Sequence, residues 1–396
     1  SVDAVVTDPP YGLSFMGNEW DRPTPRSACV ECGNDDPTAG YTVCLSCLED
    51  LGSAGDAYAV ESHGGRGMLG HVSANWHEKA THSRGYADND NIAFGAWCEQ
   101  WTAECLRVLK PGGHMLAFGG TRTWHRLACA VEDAGFEVRD SIAWLYGSGF
   151  PKGVNLRDDW QGWGTALKPA FEPIVVGRKP LAGTVAGNVL THGTGALNID
   201  GCRVGEADGF GGGRKASSGF VDGYEADGFV ASTKGRWPAN VLLDDAQAAE
   251  LDRQSGTLTS GKMPAGTMKG GKPAGILGEF KPQPSLNDTP GDTGGASRFF
   301  PTFRYEAKAP SIERPRVGEV AHPTVKPLDL MRWLVRLVTP VGGVVLEPFA
   351  GSGTTAEACV IEGFRCIAIE REAAYIPLIV ARLSKPIQPD LFGGAA

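Results

Sequence analysis

Asp8-Pro9-Pro10-Tyr11 carries the residue types needed to grip a planar exocyclic amino group. The nitrogen of an aromatic amine is a poor nucleophile, because its lone pair is delocalised into the ring. A carboxylate and a backbone carbonyl that accept its two N–H bonds pull it toward a tetrahedral geometry and aim the lone pair. Asp8 offers the carboxylate and Pro9 the carbonyl, while Pro10 stiffens the turn that fixes both. Tyr11 offers a ring face on which a base flipped out of a duplex can stack. A Pro-Pro pair is also an ordinary way to end a strand. The aspartate before it and the tyrosine after it favour the chemical reading.

A second string, Phe349-Ala350-Gly351-Ser352-Gly353-Thr354-Thr355, lies near the other end. Glycines between a strand and a helix let the backbone approach a ligand where a Cβ would clash. Glu370 ends the following strand, 17 residues after Gly353, where an acidic side chain can bind both ribose hydroxyls. Taken alone, Gly351-x-Gly353-x-x-Ala356 also fits a dinucleotide fingerprint. A P-loop is excluded, since no Gly-Lys-Ser/Thr follows. The amino grip decides between the readings. Together the two strings point to transfer of a methyl group from S-adenosylmethionine to an amino nitrogen.

Both strings need strands to position them. Val2–Thr7 reads as a buried parallel strand stopped by the prolines, and 344–346 as the strand that feeds the glycine loop. A helix is predicted over 93–109, with Trp97, Trp101, Cys105 and Val108 at helical spacing and Lys110-Pro111-Gly112-Gly113 as its stop. A strand over 114–119, a helix over 122–134 and strands over 136–144 and 172–177 follow. Regular structure resumes with helices over 327–338, 354–362 and 373–383 and a strand over 366–369. This alternation is the mark of an α/β sheet. The stretch 181–304 is Gly-, Pro- and Ser-rich with little periodicity, apart from an ordered patch over 237–243. Arg298-Phe299-Phe300-Pro301-Thr302-Phe303-Arg304-Tyr305 reads as a strand returning to the core that mixes basic and aromatic residues, for phosphate contact or for core packing.

Four of the ten cysteines form a pattern: Cys29-x-x-Cys32 and Cys44-x-x-Cys47, 11 residues apart, with Gly33 and Gly40 between them. Two such knuckles are what tetrahedral thiolate coordination of a structural zinc requires. His63, His71, His77 and His82 are too irregularly spaced to add a second metal and read as loop residues. The scattered Cys98, Cys105, Cys129, Cys202, Cys359 and Cys366 are ordinary thiols of a reducing compartment, so a cytoplasmic location is expected.

The chain has 396 residues and a net charge of −9. Residues 234–316 hold 12 Lys and Arg against 9 Asp and Glu, a local basic excess in an acidic protein. That excess suits a DNA-facing segment and a solvated loop equally. No apolar run is long enough to cross a bilayer, and no signal-peptide pattern occurs. The chain opens inside a strand without an initiating methionine, and is expected to lack some N-terminal residues.

With these motifs the chain resembles the DNA amino-methyltransferases of β-type motif order, close to the phage-type adenine-N6 group. In that order the catalytic motif comes first, the target-recognition region next and the cofactor motif last. Further marks are Leu109-Lys110-Pro111-Gly112-Gly113, Trp144-Leu145-Tyr146-Gly147-Ser148-Gly149-Phe150-Pro151-Lys152 and His322-Pro323-Thr324-Val325-Lys326-Pro327. The resemblance implies a Rossmann-like S-adenosylmethionine-dependent core in three pieces, 1–27, 61–180 and 305–396. A zinc-knuckle insert at 28–60 and a target-recognition insert at 181–304 interrupt it. It places Thr324, Lys326, Glu347, Phe349, Gly351, Gly353, Thr354 and Glu370 around the cofactor, with Lys326 near its methionine end. Lys326 also reads as a surface lysine ahead of a helix-starting proline. The implied partner is double-stranded DNA, with a homodimer and a cognate restriction endonuclease as further candidates in a bacterial or phage setting. Asp8 leans toward adenine-N6, a serine there toward cytosine-N4. A zinc-bearing DNA-binding protein without turnover is the rival from another class.

Overall fold

The computed structural model describes residues 1–11, 90–147, 149, 153–205, 235–261, 268–269, 273–274, 278–279, 283–284, 292–303 and 314–385. The four-cysteine segment with Cys29, Cys32, Cys44 and Cys47 lies outside them, as do Arg304 and Tyr305. Among the described residues no cluster of His, Cys, Asp or Glu could hold a metal ion, and no helix is long and apolar enough to cross a membrane.

Val2–Thr7 (β1) is buried at every position, as a β-branched run covered on both faces should be. Helix α1 (Asp90–Val108) leads into β2 (Leu109–Phe118), and α2 (Trp124–Asp133) into β3 (Glu137–Leu145). Then come β4 (Phe171–Arg178), α3 (Val185–His192), β5 (Val241–Asp244), α4 (Asp245–Ser255) and the two-residue β6 (Thr302–Phe303). The last part of the chain supplies α5 (Leu328–Val338), β7 (Val344–Glu347), α6 (Thr354–Ile361), β8 (Arg365–Ala368) and α7 (Ile376–Leu383).

These eight strands form one sheet in the order β6-β5-β3-β4-β2-β1-β7-β8. All neighbours are parallel except β4, which runs antiparallel to both β2 and β3. Side chains alternate between two cores, as the period of two demands. On one face Ala4, Val6, Leu116, Phe118, Ile174 and Val176 pack with Leu330, Leu334 and Val338 of α5 and Ala358 of α6. On the other, Val5, Met115, Ala117 and Val175 pack with Phe94 and Cys98 of α1 and Leu127 and Val131 of α2. Each large side chain so buried contributes about 1.5–3 kcal/mol. The result is a three-layer sandwich.

Two elements differ from the sequence expectation. The 110–113 stretch is no break between helix and strand, because α1 hands over to β2 at Leu109 without a loop. The chain bulges there instead: Val2 pairs with Leu109, but Ala4 already pairs with His114. Gly112 makes this possible at φ +76, with its N–H donating to Lys179 O. The stretch 181–304 also gives the sheet two strands, β5 beside β3 and β6 at the edge.

The chain runs from β1 out to β6 on one side and returns to place β7 and β8 on the other. A topological switch point therefore falls between β1 and β7, and ligands of open α/β sheets bind at the carboxyl ends of the strands at such a point.

Candidate active site

Thr7, the last residue of β1, is fully buried, and Asp8-Pro9-Pro10-Tyr11 turns out over the edge of the sheet. Asp8 is held from two sides. Its Oδ2 lies 2.8 Å from Lys326 Nζ, and its Oδ1 lies 2.9 Å from the Tyr11 hydroxyl, which donates to it. The Tyr11 backbone carbonyl accepts from Thr123 Oγ1 at 2.9 Å, fixing the turn against the start of α2. A Cβ on Gly120 would meet the Tyr11 ring at 3.2 Å, so the glycine after β2 makes room for the aromatic face.

A fourth residue joins them. Glu172 is the second residue of β4, and its antiparallel run starts at the edge where β1 ends. Glu172 Oε2 lies 3.1 Å from Lys326 Nζ and 3.2 Å from the Tyr11 hydroxyl. Lys326 Nζ also lies 3.1 Å from the Tyr11 hydroxyl and sits over the Phe118 ring at 4.7 Å. Burial works against the Lys326 ammonium, but Asp8 and Glu172 outweigh it and hold its pKa above the ordinary lysine value. Burial, with the charges of Asp8 and Glu172, raises the Tyr11 phenol well above its ordinary value, so it stays protonated.

The glycine loop follows β7, the strand beside β1. Gly351 at φ +54 and Gly353 at φ +83 adopt the left-handed region that residues with a Cβ avoid. A Cβ on Gly351 would also meet His322 Nε2 at 3.1 Å, and one on Gly353 would meet Ile379 Cγ2 at 3.1 Å. Beneath the loop lies Glu347, only 2% exposed. Thr7 Oγ1 and Phe349 N donate to its Oε1, and Thr355 Oγ1 donates to Oε2 at 2.6 Å. Burial raises the Glu347 carboxyl to about 8 against the pull of those donors. Its oxygens thus fasten the loop to β1 and α6.

Glu370, just beyond β8, accepts Gly351 N at 2.6 Å through one oxygen and Glu372 N at 2.8 Å through the other. A carboxylate has about four acceptor positions, so two remain for a pair of hydroxyls. His322 packs edge-on against Tyr375 at 4.6 Å, and burial keeps its pKa below the ordinary histidine value. On the other side Phe349 meets Trp97 at 5.6 Å and Trp101 at 5.3 Å. A backbone cradle, an anchored acidic side chain and an aromatic wall suit an adenosyl cofactor such as S-adenosylmethionine.

The structure therefore gathers Asp8, Pro9, Pro10, Tyr11 and Lys326 in one cluster, and Glu347, Phe349, Gly351, Gly353, Thr354 and Glu370 around the neighbouring loop. Thr354 is buried at the start of α6, and Thr324 is exposed, its carbonyl bonded to the His322 ring. Arg298 is engaged by Asp292 at 2.8 Å and stacks on Phe299 at 4.3 Å. Glu172, His322, Tyr375 and the packing of Trp97 and Trp101 on Phe349 were not foreseen. For Glu172 a signal existed: one acid at the head of an otherwise apolar strand, Phe171-Glu172-Pro173-Ile174-Val175-Val176.

A glycine loop at a topological switch point, beside a partly buried carboxylate–tyrosine–lysine cluster, is the architecture of an α/β protein with a ligand site at the carboxyl ends of β1 and β7. The model of the DNA methylase family, N6 and N4 types together, matches residues 2–381, and the chain belongs to that family. The type II methyltransferase M.HindIII of Haemophilus influenzae is 29% identical over 214 residues, 50% of this chain and 59% of that protein. M.ScaI of Streptomyces caespitosus is 34% identical over 89 residues, 22% of this chain and 28% of that protein. The chain thus aligns with less than two thirds of either relative's length. A crystal structure of the M1.HpyAVI–SAM complex aligns over 72% of this chain and 82% of that one, with 17% identity and a TM-score of 0.36.

Proposed function

We propose that the protein methylates DNA at the N6 amino group of adenine, with S-adenosylmethionine as donor. One observation carries this reading. The amino grip ends β1, the glycine cradle ends β7, and the two strands are parallel neighbours pinned by the Thr7–Glu347 hydrogen bond. Acceptor and donor sites are therefore held side by side at one edge of the sheet, and positioning of this kind removes much of a bimolecular barrier.

Each residue then has a task. Asp8 accepts one N–H of the target amino group and the Pro9 carbonyl the other, turning the lone pair out of conjugation. Tyr11 carries the base on its ring. The backbone around Gly351 and Gly353 surrounds the cofactor, and Glu370 takes its ribose hydroxyls. When bound, S-adenosylmethionine supplies a methyl group on a sulfonium, open to in-line attack. The nitrogen sheds its proton only after it has become cationic, so Asp8 orients and stabilises without first removing a proton.

Asp8 favours adenine, since a serine at this place leans toward cytosine-N4 in the resembling enzymes. The spacing of Cys29, Cys32, Cys44 and Cys47 supports a structural zinc, whose four thiolates would leave no open position for reacting water.

The test is transfer of labelled methyl to unmethylated DNA, digested to nucleosides and separated. Label is expected in N6-methyladenine, and Asp8→Ala should lower it by at least about a hundredfold, as when one aimed polar group is removed from a catalytic site. Label in N4-methylcytosine would keep the mechanism and change the base. A chain that binds cofactor and labels neither would overturn the proposal.

A further inference from the structure

Glu172 has no assigned part in amino methylation, yet it touches both Lys326 and Tyr11. Two carboxylates, Asp8 and Glu172, bracket one ammonium at 2.8 and 3.1 Å. The Tyr11 hydroxyl bridges the same two acids at 2.9 and 3.2 Å. Lys326, Glu172 and Asp8 are 12, 21 and 24% exposed at the side chain, so water screens the cluster only in part. Tyr11 is neutral, and the cluster carries a net charge of −1.

That charge matters because the proposed reaction moves one positive charge from a sulfonium to an amino nitrogen. Asp8 is the group meant to receive the amino N–H. If Lys326 had only Asp8 as its partner, the two would close into a neutral pair. Asp8 would then be a weaker acceptor, and an unbalanced ammonium would stand beside the developing cation. A second acid on the far side of Lys326 removes both difficulties, because the ammonium stays paired when Asp8 turns to the base.

We propose that Glu172 is a positioning residue for methyl transfer: it holds Lys326 and the Tyr11 hydroxyl so that Asp8 is released to the target amino group, and it keeps the cluster anionic. Glu172 acts through Lys326 and Tyr11 and is not itself in contact with the base. This inference rests on the reaction proposed above.

The experiment uses Glu172→Gln, which keeps the shape and one acceptor oxygen but loses the charge. Single-turnover methyl transfer to DNA is measured in the full chain and in Lys326→Gln, each with and without the substitution. In the Lys326-containing chain the rate should fall by roughly thirtyfold, the scale expected when one member of a partly buried charge cluster is neutralised. S-adenosylmethionine affinity and the melting temperature should stay within about twofold and about 2 °C, a split that a purely structural role would not give. In the Lys326→Gln background the same change should cost less than about threefold, since there is no ammonium left to balance.

An unchanged rate overturns the proposal. So does an equal cost in both backgrounds, or a loss of rate matched by lost cofactor affinity and lost melting temperature. A parent chain that transfers no methyl to DNA overturns the reaction itself, a result distinct from an active parent with an indifferent Glu172→Gln.

Discussion

Glu347 gives the clearest quantitative handle on the site. Its carboxyl rises from 4.5 to about 8 in the folded protein, chiefly through burial, with the Asp8 charge adding and the three donors opposing. The unfolded chain titrates near 4.5, so between these pH values the folded protein keeps a proton that the unfolded chain has lost. The contribution of this group to stability is therefore complete below pH 4.5 and declines as the pH rises toward 8. The decline is about 1.4 kcal/mol per pH unit inside the window, and about 3 kcal/mol between pH 5 and pH 7.5. Glu347→Gln keeps the shape, accepts from Thr7 and Phe349 through its oxygen and offers its amide to Thr355, but cannot ionise. Urea unfolding of both proteins at several pH values, followed by tryptophan fluorescence, yields the difference in stability. Other titrating groups cancel in that difference. The variant should gain on the parent by about 3 kcal/mol from pH 5 to pH 7.5. A difference constant within about 0.5 kcal/mol, near the error of such extrapolations, would refute the reasoning. It would mean that Thr7, Thr355 and Phe349 hold the carboxylate ionised throughout.

Two further outcomes follow from other parts of the fold. Gly353→Ala forces a Cβ onto a residue at φ +83 and within 3.1 Å of Ile379. It should cost about 1–2 kcal/mol in stability and weaken S-adenosylmethionine binding by at least about tenfold; a melting curve and a calorimetric titration identical to the parent's would refute it. His114 of β2 is lowered from 6.5 to about 4 by burial, then by Arg178 and Arg139. Stability from this neutral imidazole is present above pH 6.5 and lost as the pH falls toward 4, by about 3 kcal/mol. His114→Gln should be free of that loss, and equal acid sensitivity of the two proteins would rule the effect out.

The sequence displayed the parts of this molecule that are local. β1 was legible because a strand buried on both faces is rich in β-branched and small residues, here interrupted only by Asp3, and the prolines follow one residue after its end. The glycine loop was legible because the left-handed conformations at 351 and 353 demand glycine. Lys110-Pro111-Gly112-Gly113 misled because the same residues that stop a helix also build a bulge at the head of a strand. β5 and β6 showed as an ordered patch over 237–243 and a returning strand over 298–305, but with four and two residues they are too short for any period to fix their bounds. Glu172 showed as a lone acid heading an apolar strand, but what it meets was hidden for a different reason. Its partners Tyr11 and Lys326 are 161 and 154 positions away in sequence, and only the antiparallel course of β4 brings its first turn of chain to the edge where β1 ends.

The hydrogen bond between Thr7 and Glu347 spans 340 positions. Loop-closure entropy delays contacts of such separation, so the two halves of the site cannot meet early in folding. β1 precedes β7 in the chain, so the turn that carries Asp8 and Tyr11 is made long before the strand that pairs with β1 on this side. The site is thus among the last features to form, and a half-finished chain with Asp8 and Tyr11 in place has nowhere to hold a cofactor.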